Sequence, residues 1–330
     1  MAEEPEFSVI IPLYNRRDYI QRAVSSVLDQ KYPAKEIIVV DDGSTDDGAM
    51  VAERIAGGHI RVIRQSNQGG AGAPARNTGM RAATGNWFAF LDADDIWLDN
   101  HLFELAMLIS ACPSAGLISS NFQELMEGQP AEPDTRQGRL GGYRNYFLAA
   151  AAHPGCVNSS SAALKRAVPD ALGYFGNASS GPDLEYWARI ALDFPVAMSE
   201  RNTAIYFRGN GGNMERLASA RTNTSKDVEP PIQELSDVSP ALAMLASRAA
   251  HDKNLFKRAD IREYINSRLD QGIRIQLVRG NGKKAKEVAA LKFPATSVRS
   301  FGLNLITRLP VSTLGVVERF RKTVKHAVTL

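Results

Sequence analysis

The chain has little cysteine, no long apolar run and no phosphate-loop signature, and each absence removes a class of protein. Its two cysteines, Cys112 and Cys156, lack metal-ligand spacing and build no disulfide framework, so a reducing compartment is expected. No stretch of about 18 apolar residues occurs, which leaves no membrane-spanning helix to expect. The first residues, MAEEPEF, are acidic and lack the basic-then-apolar pattern of a signal peptide, so a cytoplasmic location is expected. Neither GxxxxGK[ST] nor GxGxxG follows the apolar runs, which argues against a P-loop or a dinucleotide fingerprint. The histidines at 59, 101, 153, 251 and 326 have no mutual spacing for zinc. The serines Ser159–Ser161 lead into AALKRAV without a nucleophile elbow, so a serine hydrolase is not expected.

What is present is an ordinary globular composition, 44% hydrophobic and 23% charged over 330 residues. That length holds one large α/β domain and a smaller appendage. The net charge of +3 conceals an asymmetry: residues 241–330 carry 18 Lys+Arg against 6 Asp+Glu, or +12, which leaves −9 for residues 1–240. An acidic body with a basic tail points to an anionic surface as partner of the tail alone.

Short apolar runs alternate with helical periodicity along the first third of the chain. Phe7–Pro12 (FSVIIP), Glu36–Val40 (EIIVV), Ile60–Arg64 and Trp87–Leu91 read as buried strands. Helices are expected after Asp18, which could cap the first of them, near Ala49–Ala56, across Arg76–Ala83 and over His101–Ser110. In the first helix Ile20, Ala23, Val24, Val27 and Leu28 fall on one face. This alternation implies a mostly parallel sheet with helices on both faces. Ligands of such sheets sit beyond the carboxyl ends of the strands, where Asn15, Asp42 and the acids of FLDADDIW (Asp92, Asp94, Asp95) all fall.

Each cluster has a chemical and a plain reading. Oxygen ligands such as Asp92, Asp94 and Asp95 suit Mg²⁺ or Mn²⁺, with substrate phosphates completing the shell; an Asp-rich turn with a helix cap is the alternative. Asp42, beside a Gly-Ser turn, can accept hydrogen bonds from a nucleobase or ribose, or belong to an Asx turn. In NQGGAGAPARNTG (67–79) small residues allow close backbone approach and Arg76 offers a charge for phosphate, or the segment is a loop entering a helix.

Taken together, PLYN (Pro12–Asn15), DDGS (Asp41–Ser44), N-x-G…ARN-x-G (Asn67–Gly79) and DADD (Asp92–Asp95), in that order, resemble the family 2 glycosyltransferases of the GT-A fold. The resemblance is close over residues 7–110 and weaker to about 215. It implies an α/β fold with a Rossmann-like, mostly parallel sheet and a transfer of sugar from a nucleotide-diphosphate sugar, a UDP-sugar being the expected donor. It implies a nucleoside pocket of Pro12, Tyr14, Asn15 and Asp42, with Arg76 near the diphosphate. Asp92 would meet the ribose or the water shell of the metal, and Asp94 would bind a divalent Mn²⁺ or Mg²⁺ with Asp95 in support. The acidic strand end then becomes half of a cation site whose positive charge arrives with the substrate.

An acceptor hydroxyl needs a base, and SSGPDLEYWARIAL (Ser179–Leu192) offers Asp183. Ser180 could cap this helix, with Pro182 in its first turn and the macrodipole holding Asp183 ionised; an ordinary helix-start aspartate is the plain reading. The family commonly reads Glu-Asp before a Trp-rich helix, so Asp183, Trp187 and Arg189 match while Pro182 replaces the glutamate. A histidine that often follows a Tyr-Arg pair in the family aligns with Asn210, which is not assigned as a ligand.

The expected organisation is a glycosyltransferase domain over 1–220 (donor half about 7–125, acceptor half about 126–220), a linker at 221–240 and a basic helical region at 241–330. Residues 127–145 read as a loop. Within LGVVERFRKTVKHAVTL, apolar Val317, Phe320, Val324, Ala327 and Val328 oppose Arg319, Lys322, Lys325 and His326. This face suits peripheral contact with an anionic membrane or packing on the domain itself, and no nucleic acid is expected because aromatics do not interleave with the charges. The resemblance adds a glycan or lipid-linked glycan as acceptor, in surface polysaccharide, lipopolysaccharide or glycoconjugate synthesis. Two rivals are a nucleotidyltransferase, which would want a glycine-rich loop where PLYNRRD stands, and a catalytically silent nucleotide-sugar-binding scaffold.

Overall fold

The computed structural model describes residues 4–55, 60–130, 138–178, 181–209, 238–278 and 281–294. The expected strands and helices of the first third are all present, as β1 (Phe7–Leu13), α1 (Arg17–Leu28), β2 (Glu36–Asp42), α2 (Gly48–Ile55), β3 (Ile60–Gln65), α3 (Ala73–Ala82), β4 (Trp87–Phe90) and α4 (His101–Ala111), with a short strand not expected, β5 (Ile96–Trp97), before α4. Then follow β6 (Leu117–Met126), β7 (Gly142–Arg144), α5 (Tyr146–Ala152), β8 (Ala162–Lys165), α6 (Ala167–Leu172), α7 (Pro182–Asp193) and β9 (Val196–Arg208). Part of the expected loop at 127–145 is strand β7, which pairs antiparallel with β9.

Among the described residues these nine strands form one sheet, in the order β3-β2-β1-β4-β8-β6-β9-β5 with β7 beside β9. β1, β2, β3 and β4 pair in parallel, whereas β8 is antiparallel to both β4 and β6. The chain winds outward from β1 through β2 to β3, then returns to place β4 on the other side of β1. That reversal opens a crevice at the carboxyl ends of β1 and β4, the usual ligand position in open α/β sheets.

Both faces of the central strands are covered, which is why β1 and β2 read as continuous apolar runs instead of alternating ones. Phe7, Val9, Ile11 and Leu13 pack with Ile37, Val39, Ile20, Val24, Leu102 and Leu105, all buried, so α1 and α4 share one face. On the other face, a Cβ on Gly79 of α3 would collide with Ile10, and Phe90 meets Phe175 and Trp187 with ring centroids 5.6 and 6.4 Å apart. Trp187 is wholly buried, and truncating such a ring to Ala costs about 3–5 kcal/mol.

Two helix details differ from expectation. Arg16, not Asp18, is the N-cap of α1, and it makes no side-chain cap; Asp18 lies in the first turn, where it favours the dipole. Leu28, at the end of the apolar face, is 44% exposed because the chain turns away there.

The described chain divides into two compact units, Met1–Tyr146 with Gly155–Arg216, and Phe147–Pro154 with Leu217–Leu330. The second unit contains most of α5 and the helices α8 (Pro240–His251), α9 (Ala259–Val278) and α10 (Gly282–Ala290). Its core is Phe147, Leu242, Leu245, Ile261, Tyr264, Ile265, Leu269 and Val288, with Phe147 and Tyr264 in edge-to-face contact at 5.4 Å. Lys292, nearly buried, pairs with Asp270 at 2.5 Å. Among the described residues no helix is long and apolar enough to cross a membrane. Asn210, Ser180, nearly all of the linker 221–240 and the amphipathic tail lie outside the described residues.

Candidate active site

The crevice at the ends of β1, β2 and β4 is a cleft of about 320 Å³. Pro12, Tyr14, Arg16, Asp42, Arg76, Asp92 and Asp94 all belong to its wall, with Asn67, Gly69, Ala71 and Gly72. Five of the expected donor residues and one of the two expected metal carboxylates are thereby brought together. Asn15, Asp95 and Asp183 are not part of the wall, and each has a physical reason.

Asn15, two residues beyond β1, has a left-handed conformation, φ 50°, uncommon for a residue with a Cβ. Its carboxamide oxygen accepts the N–H of Thr45 at 2.8 Å, and its own N–H donates to Ser44 Oγ at 3.0 Å. Asn15 therefore staples the β1 loop to the DDGS turn. In that turn Asp41 Oδ1 accepts the N–H of Ser44, three residues on, at 3.0 Å. The buried Asp42 accepts from Gln65 Nε2 at 2.6 Å and from the Gln68 N–H at 3.3 Å, both on Oδ1. Gln65 is held in turn by the Thr78 hydroxyl, which donates to its Oε1 at 2.6 Å. The Asp42 carboxylate is thus oriented before any ligand arrives.

The segment NQGGAGAPARNTG needs its glycines. Gly69, Gly70 and Gly72 have φ of 66°, 66° and 80°, and Ala71 between them sits at 52°. This left-handed run lets Ala71 O turn toward Arg76 Nη1, which donates to it at 3.2 Å. Asn77, one residue on, binds the backbone of Phe175 in both directions, at 2.9 and 3.0 Å. That pair ties the loop before α7 to α3.

The acids of DADD lie in a turn, closed by the Asp95 N–H donating to Asp92 O at 3.0 Å. Asp92 and Asp94 still face one cleft, while Asp95 points inward and is fully buried. Asp95 Oδ2 accepts the Ser160 hydroxyl at 2.5 Å and Oδ1 accepts the Phe207 N–H at 3.0 Å. Ser160 Oγ also accepts the Asp92 N–H at 3.1 Å. Burial pushes the Asp95 carboxyl well above the usual range, with the charges of Asp94 and Asp92 adding to it. Asp94 is raised too, first by burial and then by Asp92, with Arg16 opposing.

The positive charge expected to come with a substrate is partly resident. Arg76 Nη2 pairs with Asp92 Oδ1, and Arg16 Nε pairs with Asp94 Oδ2 at 3.0 Å. A third arginine works from behind: Arg22 Nη2 donates to Asp94 O at 2.5 Å while both its Nη atoms bind Glu127, at 2.7 and 2.8 Å. Its guanidinium carbon lies 4.2 Å from the centroid of Phe207 and 4.9 Å from that of Tyr19. Arg16, Arg22 and Ser160 are absent from the expected site residues, and no motif marks them.

Asp183 stands in the first turn of α7 behind Gly181, the N-cap, whose φ of 68° replaces any side-chain cap. Its half-buried carboxyl feels both Arg76 and Asp92. Loss of solvent raises its pKa, and the opposing pull of Arg76 and of the Leu184 N–H does not cancel that rise. Burial thus outweighs the stabilisation that Arg76 and the N–H groups at the start of α7 give the ionised carboxylate. A carboxylate of raised pKa is the better proton acceptor.

Among the described residues no group of three His, Cys, Asp or Glu side chains could hold a metal unaided. Asp92 and Asp94 supply two hard oxygen donors to the cleft, which fits a Mg²⁺ or Mn²⁺ that takes one or two carboxylates and completes its shell with phosphates.

Residues 8–170 match the model of Glycosyl transferase family 2. The UDP-Glc:alpha-D-GlcNAc-diphosphoundecaprenol beta-1,3-glucosyltransferase WfgD of Escherichia coli is 38% identical over 103 residues, 31% of this chain and 40% of that protein. The matches span only 28–35% of the length of the first three curated relatives. Among solved structures, S. aureus TarS 1-349 in complex with UDP-GlcNAc superposes with a TM-score of 0.56 at 18% identity, covering 96% of this chain and 92% of that one. The mannosyltransferase PcManGT from Pyrobaculum calidifontis, in complex with GDP-Man and Mn²⁺, gives 0.52 at 20% identity, with 96% and 85% covered. At these identities the likeness to solved structures speaks for fold. Over residues 8–170 the chain belongs to glycosyl transferase family 2, and its mostly parallel sheet with flanking helices is the GT-A fold.

Proposed function

We propose that the chain transfers a sugar from a nucleoside-diphosphate sugar, a UDP-sugar first among them, to an acceptor hydroxyl with inversion at the anomeric carbon. The observation that carries this reading is the convergence of Tyr14, Asp42, Arg76, Asp92 and Asp94 on one cleft at the sheet's switch point. Tyr14, 40% exposed, offers an aromatic face to a base. Asp42 Oδ2 has no protein hydrogen bond among the described residues and is the acceptor for a base N–H. Pro12 and Asn15 shape the nucleoside end, Asp92 meets the ribose, and Arg76 sits toward the diphosphate.

Asp94 would hold the divalent cation, with Asp95 fixing the turn from beneath. That cation, when bound, would neutralise charge on the departing diphosphate as a Lewis acid. Asp183 takes the acceptor's hydroxyl proton while the hydroxyl oxygen bonds to the anomeric carbon from the face opposite the diphosphate. The anomeric bond to the diphosphate breaks as the new bond forms, through an oxocarbenium-like transition state.

The acceptor is a glycan or lipid-linked glycan of a surface polysaccharide or glycoconjugate, met at the cytoplasmic face of the membrane by way of the basic tail. Support for a lipid-linked acceptor comes from the WfgD relative, whose own name specifies a diphosphoundecaprenol substrate. Deleting residues 311–330 should release the protein from anionic vesicles, and unchanged binding would remove the tail from the reading.

The donor site is tested by thermal shift with UDP, GDP and their sugars in the presence of Mn²⁺ or Mg²⁺. Saturation at 100 times Kd should stabilise the fold by about 2.7 kcal/mol. If no nucleoside diphosphate moves the melting temperature, the proposed function is wrong.

A further inference from the structure

Asp42 and Gln65 end the parallel strands β2 and β3 in register, so their side chains leave the sheet on the same face. A carboxylate only accepts, so the Gln65 Nε2 that lies 2.6 Å from Asp42 Oδ1 is the donor, and the carboxamide oxygen is left for the Thr78 hydroxyl of α3. The Gln68 N–H takes the second lone pair of the same Oδ1 at 3.3 Å. Gly43, at φ 74°, lets that backbone come close: a Cβ on it would stand 2.7 Å from Asn67 N. Oδ1 is therefore filled by the protein, whereas Oδ2 has no protein hydrogen bond among the described residues. Asp42, only 4% exposed, meets the cleft with one accepting oxygen.

We propose that Gln65, locked by Thr78, makes the donor site select uracil over guanine, an inference that rests on the donor site proposed above. Uracil presents a single N–H, at N3, between two carbonyl groups. Guanine presents two adjacent donors, N1–H and the 2-amino group, and a carboxylate satisfies both only with both of its oxygens. With Oδ1 already occupied, the 2-amino group of a guanine on Asp42 would be desolvated opposite an oxygen that has no lone pair to give. A donor left unpaired in a buried wall costs more than the same bond adds when it is made, which is how such sites reject a near-matching ligand. Gln65 acts through Asp42, as a positioning residue that sets how many oxygens the carboxylate offers.

The test uses the full chain with Mn²⁺, titrated with UDP and with GDP by calorimetry. The unaltered protein should bind UDP about tenfold or more tightly than GDP. Gln65→Met keeps the length of the side chain and frees one lone pair of Oδ1, so GDP should gain and UDP should not, the ratio falling about fivefold or more. Thr78→Val, which releases the carboxamide from its lock, should move the ratio the same way and serves if the first variant folds poorly; Thr78→Ser should restore it. Both nucleotides are measured on one preparation, so a partly unfolded sample changes both affinities together and leaves their ratio where it was. An unchanged ratio in the variants, or an unaltered protein that binds GDP as tightly as UDP, overturns the base selection and leaves the donor site standing. Failure of the unaltered protein to bind either nucleotide overturns both.

Discussion

Ser160 donates its hydroxyl to Asp95 Oδ2 at 2.5 Å and, with the same oxygen, accepts the backbone N–H of Asp92 at 3.1 Å. One side chain, 65 and 68 residues away in sequence, thus holds both ends of the acidic turn. Its own backbone is gripped by Trp97, whose Nε1 donates to Ser160 O at 2.6 Å. Ser160→Ala would leave Asp95 Oδ2 buried without this donor and the Asp92 N–H without its acceptor. The expected loss is about 1–3 kcal/mol of stability in urea unfolding. Ser160→Thr, which restores the hydroxyl, should recover most of it; no recovery would mean that packing, not the hydrogen bonds, makes Ser160 matter.

Asp183→Asn should lower turnover about 10²–10⁴-fold while leaving UDP affinity unchanged. The raised pKa of Asp183 has a direction that kinetics can read. The base works only when ionised, so kcat/KM falls as pH drops through that pKa, at a higher pH than an ordinary aspartate would give. Arg76 pulls this pKa down. Arg76→Gln should therefore move the acid limb further up, besides weakening donor binding. An acid limb that stays put would separate Asp183 from the proton transfer.

Arg22 is the joint between α1, the end of β6 and the acidic turn. Arg22→Lys keeps the charge but loses the paired hydrogen bonds to Glu127 and the stacking on Phe207. The expected cost is about 2 kcal/mol of stability, with a weaker Mn²⁺ affinity because the Asp94 backbone is released. Glu127→Gln should cause part of the same loss. In a double-mutant cycle the two substitutions should couple, and strict additivity would show that the pair does not act as a unit.

How much of this was legible in the sequence depends on the range of the interaction. The strands of FSVIIP and EIIVV are local features, since burial on both faces forces a continuous apolar run. Asp42, Asp92 and Asp94 were legible for the same reason: polar residues directly after such runs must lie at the sheet's edge. Arg16 and Arg22 were not, because in sequence they are ordinary cations of a solvated loop and helix. Their partners Asp94 and Glu127 lie 78 and 105 residues away, brought close by β4 returning beside β1. The position of Asn15 just beyond β1 was legible, but its staple to Thr45 required the geometry of two loops. Asp95 could not be told from Asp94 by spacing, since the turn that sends one inward and the other to the cleft is set by Ser160 and Phe207.

His101 carries a pH dependence of its own. It is fully buried, stacked on Trp97 with centroids 4.3 Å apart, and its Nδ1 meets Thr203 Oγ1 at 2.7 Å. Burial lowers its pKa from 6.5 to about 3, so the folded protein keeps this ring neutral where the unfolded chain would protonate it. Between those values the unfolded state binds more protons, and stability must rise with pH. The contribution is complete above pH 6.5 and is lost progressively as pH falls toward 3. From pH 7.5 to pH 5 the loss due to His101 is about 2 kcal/mol. Carboxylates add their own slope, so the comparison is with His101→Gln, measured by urea unfolding at both pH values. The variant will be less stable at neutral pH, yet its loss on acidification should be smaller by that amount. Equal losses in the two proteins would show that His101 is already neutral, or already compensated, in the unfolded chain.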